Sequence, residues 1–87
     1  MPGVTRCFID TAGGVVLGGS NTTVVVNGVP GSVITTPISS HGEGKHSTAT
    51  MVGASTSVFF SGLPVCRVGD SASCGHVATG SSDVFAG

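Results

Sequence analysis

The sequence predicts an all-β domain, and three observations carry the prediction. The apolar residues are chiefly β-branched and fall in short runs, a composition that suits a pleated strand. No window of a dozen residues lacks a glycine or another turn former, which leaves no room for a helix of ordinary length. The third observation is an internal repeat, each copy of which opens on a Gly/Ser turn, enters a short apolar strand and then reaches a glycine.

Taken in order, strands are expected at residues 4–9, 14–17, 22–26, 31–35, 48–52, 58–60, 65–68, 76–78 and 83–85, each an apolar run bounded by turn formers. Residues 19–30 align without a gap on residues 53–64, and a third, clipped copy occupies residues 80–87. Asn27-Gly28 predicts a two-residue hairpin, because both central positions of a type I′ turn need φ > 0. Ser61-Gly62 is a weaker version of the same signal. Two and a half copies in 87 residues point to a roughly three-sided body. The inter-repeat segments 36–47 and 69–75 are then expected to meet at one end. No linker is evident, so residues 1–87 read as one domain.

Composition limits what such a body can do. Fifteen glycines, four Phe and neither Trp nor Tyr leave few large side chains to bury, so a core of this kind calls for a staple. Three cysteines are an odd number, which argues against a complete disulfide framework. Net charge is −1, with Arg6, Lys45 and Arg67 scattered along the chain. Without a basic patch or an aromatic platform, nucleic-acid binding is not expected. The first residues lack the apolar core of a signal peptide, and no run approaches membrane-spanning length, so synthesis in the cytoplasm and no stable membrane insertion are expected.

The staple suggested by the residues is a metal. His41 and His46 share one loop, and Cys74 and His76 flank Gly75 in another. Three imidazole nitrogens and one thiolate make a closed tetrahedral set for Zn²⁺. Gly75 permits a sharp bend between one ligand pair, and Gly42 and Gly44 let the other loop fold back. The spacing is not the paired C-x-x-C of zinc fingers. The other reading is surface histidines in flexible loops beside a buried cysteine.

Catalytic chemistry is weighed against that set. His41-Gly42-Glu43 matches the H-x-E half of a zinc deaminase signature, but no P-C-x-x-C follows it. A Cys–His nucleophile pair built on Cys74 has no evident oxyanion site or cleft. Four protein ligands would leave no position for an activated water. A small zinc-dependent hydrolase is therefore the second reading. Glu43 and Lys45 read as solvated loop charges, Cys66 as a small core residue and Cys7 as half-buried packing. Arg67 and Asp70 are placed to pair across the turn at Gly69, and Asp10 and Asp83 sit where carboxylates accept local backbone hydrogen bonds. Phe8, Phe59, Phe60 and Phe85 read as core or interface surface.

Pro64-Val65-Cys66-Arg67-Val68-Gly69-Asp70, set after a strand that carries Val58-Phe59 and before Cys74-Gly75-His76 and a second Gly-Ser-x-x-Val-Phe copy, resembles the PAAR-repeat family. The name-giving Pro-Ala-Ala-Arg corresponds to Pro64-Val65-Cys66-Arg67, with both alanines replaced. The resemblance runs from about Gly14 to Gly87 and is strongest from Gly53 onward. The first copy departs from it, since Pro30-Gly31-Ser32-Val33 lacks the Arg and the Gly-Asp. Membership would imply a cone-shaped β fold with a pseudo-three-fold base, pinned near its apex by zinc on three histidines and a cysteine. The matching positions are His41, His46, Cys74 and His76, and iron is compatible with the same set. It would further imply a monomer capping a trimeric β-helical spike of a type VI secretion system or a phage tail, ejected with that spike into a target cell. Effector recruitment, as an adaptor, is the third reading. The end of the chain at Gly87 is read as a bare tip without a toxin domain of its own.

Overall fold

Short hairpins, joined by single bridges, make up most of the architecture among the described residues. The computed structural model describes residues 2–18, 21 and 24–87. Among them β1 (Thr11–Ala12) pairs with β2 (Gly14–Val15), β3 (Val25–Val26) with β4 (Val29–Pro30), and β5 (Phe59–Phe60) with β6 (Leu63–Pro64), all antiparallel. Asn27 and Gly28 adopt φ of 53° and 86° between the opposed residues Val26 and Val29. Ser61 and Gly62 repeat this at 53° and 79° between Phe60 and Leu63. Both predicted turns are thus present, with positive φ at both central positions.

The longer predicted strands are shorter here, and the reason is symmetry. At the centre, the Thr5 N–H donates to the Cys66 carbonyl, the Cys66 N–H to Ser32, and the Ser32 N–H back to Thr5, at 2.8–3.0 Å. This closed ring of three backbone bonds puts three chain segments around one pseudo-three-fold axis. The same triplet pattern recurs outward. Val4, Gly31 and Val65 donate to Val84, Val24 and Val58 respectively, and Cys7, Ile34 and Val68 donate to Pro30, Pro64 and Gly3 respectively. The bridges Val4↔Arg67, Arg6↔Gly31 and Val33↔Val65 complete the set. A segment on such an axis pairs with one neighbour for a residue or two and then with the other. Residues 4–9, 31–35, 48–52 and 65–68 accordingly alternate bridges and turns rather than running as ladders. Of the predicted strand 22–26, Thr22 and Thr23 lie outside the described residues.

Each copy of the repeat begins on a buried polar side chain that caps the turn before its strand. Asn21 Oδ1 accepts from the Val24 N–H, Ser55 Oγ from Val58, and Ser81 Oγ from Val84. The third copy has no hairpin turn. Phe85 instead bridges Gly3, and the Ala86 N–H donates to Pro2, so the two ends of the chain supply one side of the base.

After the ring, each copy turns through a left-handed residue, Phe8, Thr35 or Gly69, at φ 66°, 74° and 90°. Asp10 closes the first of these turns by accepting from the Arg6 N–H and guanidinium, and Asp70 does the same for Arg67, with its closest guanidinium contact at 3.0 Å. In the turn that follows Pro30-Gly31-Ser32-Val33, Thr36 Oγ1 accepts from the Val33 N–H in their place. The missing Arg and Gly-Asp are therefore a chemical substitution within a retained turn.

Two apolar clusters flank the ring. Toward the base, Val4, Val26, Val33, Val65 and Ala86 are buried, with Val58, Phe60, Leu63 and Val84 packed against them. On the other side lie Cys7, Ala12, Val16, Ile38, Ala49, Met51, Cys66, Ala72, Cys74 and Ala78. Cys7 is fully buried, not half-buried as expected, because it follows the ring residues into this cluster. The longest dimension is 32 Å and the other two nearly equal at 23 and 21 Å, as a body built around one axis requires. Among the described residues no helix is long and apolar enough to cross a membrane.

Candidate metal centre

Beyond the three turns, each copy sends a hairpin away from the base. The first is β1–β2, with Gly13 at its tip; the second is anchored by the Pro37↔Thr50 bridge, and the third by Ser71↔Val77. Adjacent hairpins are tied by the bridges Val16↔Ile38 and Met51↔Ala72, and by the Thr79 N–H donating to Thr11. Three connected hairpins around one axis must converge, and the predicted ligands sit where they do. His41, His46, Cys74 and His76 each present a ligand atom, all within 4.8 Å of one another.

Local structure fixes each donor. In the second hairpin a single 3₁₀ turn, Gly44–His46, folds the chain back so that the His41 N–H donates to the His46 carbonyl at 3.1 Å. Gly42 lies directly under His46, where a Cβ would come within 3.0 Å of that side chain. In the third hairpin, Gly75 at φ 95° makes the bend, and the Ala72 N–H donates to the His76 carbonyl. That bend brings Cys74, which is buried, and His76, which is exposed, to the same point.

The donor chemistry fits a cation. His41 Nδ1 lies 2.9 Å from the Ser39 carbonyl, which can only accept, so Nδ1 carries the proton and Nε2 presents a lone pair. That Nε2 faces His46 Nδ1 at 3.2 Å and Cys74 Sγ at 3.4 Å. Tetrahedral zinc holds two nitrogens about 3.3 Å apart, and a nitrogen and sulfur about 3.6 Å apart, from its usual bond lengths. The three imidazole rings stand 5.1, 5.1 and 5.2 Å apart, an equilateral arrangement about a common point. Glu43 is exposed and is not among the converging groups.

Cys7 and Cys66 take no part. Both are fully buried free thiols. Burial pushes both thiols up, that of Cys66 to about 12, which keeps it protonated and unreactive at neutral pH. Two features escaped the sequence reading. Gly13 and Gly14 pack directly on the imidazoles, and Ser39 orients His41. The Gly-Gly pair beside the 14–17 strand was the available signal for the first.

Compared with known protein families, the chain matches the PAAR motif over residues 9–79. It belongs to the PAAR-motif family, as the resemblance implied. No curated protein matches it significantly. PAAR-motif proteins are structural, non-catalytic components that generally partner with trimeric spike proteins and are typically exported as part of a secretion or tail apparatus. This chain is a small all-β member with a His/Cys cluster able to coordinate a metal ion.

Proposed function

We propose that this protein is a non-catalytic piercing tip. Residues 1–87 act as one domain that caps and sharpens a trimeric β-helical spike of a contractile injection apparatus, in a type VI secretion system or a phage tail. Made in the cytoplasm, it is assembled at the spike and ejected into the target cell. One structural zinc is held by His41, His46, Cys74 and His76.

The observation that carries this reading is the contrast between the two ends. At the base, Val25, Phe59 and Phe85 occupy equivalent positions in the three copies and are 61, 55 and 49 % exposed. Apolar side chains repeated around a three-fold axis suit a partner of three identical chains, each meeting one copy. At the other end, three hairpins converge with mostly Ala and Cys between them, too little apolar bulk to hold them rigidly. Zinc bound there supplies a cross-link between the second and third hairpins. His41 is set by Ser39, His46 by the 3₁₀ turn, and Cys74 and His76 by the bend at Gly75. Four protein donors complete a tetrahedral shell and leave no place for a reactive water, in keeping with a mechanical role.

Mixing the protein with a purified trimeric spike from the same host system tests the proposal. One chain should bind per spike trimer. The Phe59→Asp/Phe85→Asp double variant should lose binding while keeping its zinc content. Unimpaired binding by that variant, or three chains bound per trimer, would contradict the proposed base.

A further inference from the structure

The ligands are divided unequally among three equivalent hairpins. The second carries His41 and His46, the third carries Cys74 and His76, and β1–β2 carries none. We infer that β1–β2 closes the metal site from its third side, and that Gly13 is the positioning residue that lets it do so. This rests on the ligand set proposed above.

The packing around Gly13 leaves no space for a side chain. A Cβ there would lie 2.3 Å from His76 Cδ2, 2.6 Å from His76 Cγ and 2.7 Å from His41 Nε2. One added carbon would therefore meet two of the four proposed ligands, including the nitrogen that faces the other donors. Neither side can yield easily. The hairpin is tied to the His41 segment by two bonds at Ser39. The Val15 N–H donates to Ser39 Oγ and the Ser39 N–H to the Val15 carbonyl, both at 2.8 Å. His41 is held in turn by its bond to the Ser39 carbonyl, and a Cβ on Gly14 would lie 2.8 Å from His41 Nδ1. The rings, once joined through a metal, lose the freedom to swing away. Without a side chain, Gly13 lets β1–β2 lie against both imidazoles and hold them where the other donors converge.

Gly28 provides an internal control. Its φ of 86° matches the 88° of Gly13, so alanine carries a similar backbone penalty at either position. Nothing lies within 4 Å of a Cβ at Gly28. Any difference between the two variants beyond backbone strain therefore reports the contact with the imidazoles.

The experiment is a Co²⁺ titration of the wild type, Gly13→Ala and Gly28→Ala, followed by visible absorption, with thermal unfolding of the metal-free proteins alongside. The wild type should show the intense ligand-field bands of four-coordinate cobalt and a thiolate charge-transfer band. Gly13→Ala should bind about tenfold or more weakly, the scale of lost support around a metal ligand. Its bands should weaken as a water enters the shell. Gly28→Ala should match the wild type in affinity and spectrum, and the two metal-free variants should melt at similar temperatures. A Gly13→Ala spectrum and affinity identical to wild type would overturn the inference. So would equal loss of affinity in Gly28→Ala, or a metal-free Gly13→Ala that is unfolded while Gly28→Ala is folded. Absence of a thiolate band in the wild type would instead overturn the ligand set, and this inference with it.

Discussion

Met51 is the largest fully buried side chain, and its replacement tests whether the copies really share one axis. Val16, Met51 and Ala78 are equivalent. Their N–H groups donate to Asp10, Thr36 and Asp70, and their carbonyls accept from Phe8, Thr35 and Gly69. All three are buried in one cluster whose other members include Cys7, Ala12, Ala49, Cys66, Ala72 and Cys74. Met51→Ala removes three heavy atoms from among these small neighbours, which cannot collapse to fill the space. Within the usual range of about 2–5 kcal/mol for Met→Ala in a core, this places the loss at roughly 3–4 kcal/mol. A domain of this size has roughly 4–13 kcal/mol in all, so the melting temperature should fall by on the order of 15 °C. Ala78→Met alone should cost about 1–3 kcal/mol by overpacking. Combining the two moves the methionine volume to an equivalent position, so the double variant should recover at least half of the Met51→Ala loss. Chemical denaturation of the four proteins in excess zinc measures the coupling. A double-variant loss equal to the sum of the single losses would show that the sites do not share a cavity, and would refute the axis argument.

Other expectations follow from charge and thiol chemistry. Burial pushes the Asp10 carboxyl up, but hydrogen bonds from the Arg6 guanidinium, the Arg6 N–H and the Thr79 hydroxyl outweigh it, leaving the carboxyl below its ordinary value. Its stabilisation is then complete above the unfolded value of about 4 and disappears as pH falls through the folded one. The stability difference between wild type and Asp10→Asn should be constant near neutrality and shrink below about pH 4, read from denaturation at a series of pH values. Cys74→Ser should weaken zinc binding more than about a hundredfold in competition with a chelator, since even changes behind a ligand cost 10–100-fold. Cys66→Ala should leave zinc binding unchanged, and alkylation of native protein at pH 8 should spare Cys66, whose thiol burial pushes up to about 12.

How much of this was legible depended on whether the signal was local. The hairpins at Asn27-Gly28 and Ser61-Gly62 were, because the turn chemistry is written in two adjacent residues. So was the pairing of His41 with His46 and of Cys74 with His76 in the cluster, since each pair sits within one loop. The Arg67–Asp70 pairing across Gly69 was legible for the same reason. The closure of the clipped third copy was not, because its base pairing joins Phe85 and Ala86 to Pro2 and Gly3, which a comparison along the chain cannot bring together. The middle turn was hidden by a change of chemistry, a Thr36 hydroxyl standing where the sister turns use carboxylates. Strand lengths were overestimated because apolar periodicity does not reveal that a segment changes partners around an axis. The role of Gly13 depends on where two distant imidazoles come to lie; the Gly13-Gly14 pair signals a close approach but not what approaches.

The proposed function depends on the three hairpins converging on one closed metal site. Elemental analysis and X-ray absorption at the zinc edge of the purified protein address it directly. One zinc per chain is expected, bound by three nitrogens and one sulfur with no water in the shell. A protein without stoichiometric metal, or a shell with an oxygen from water, would contradict it.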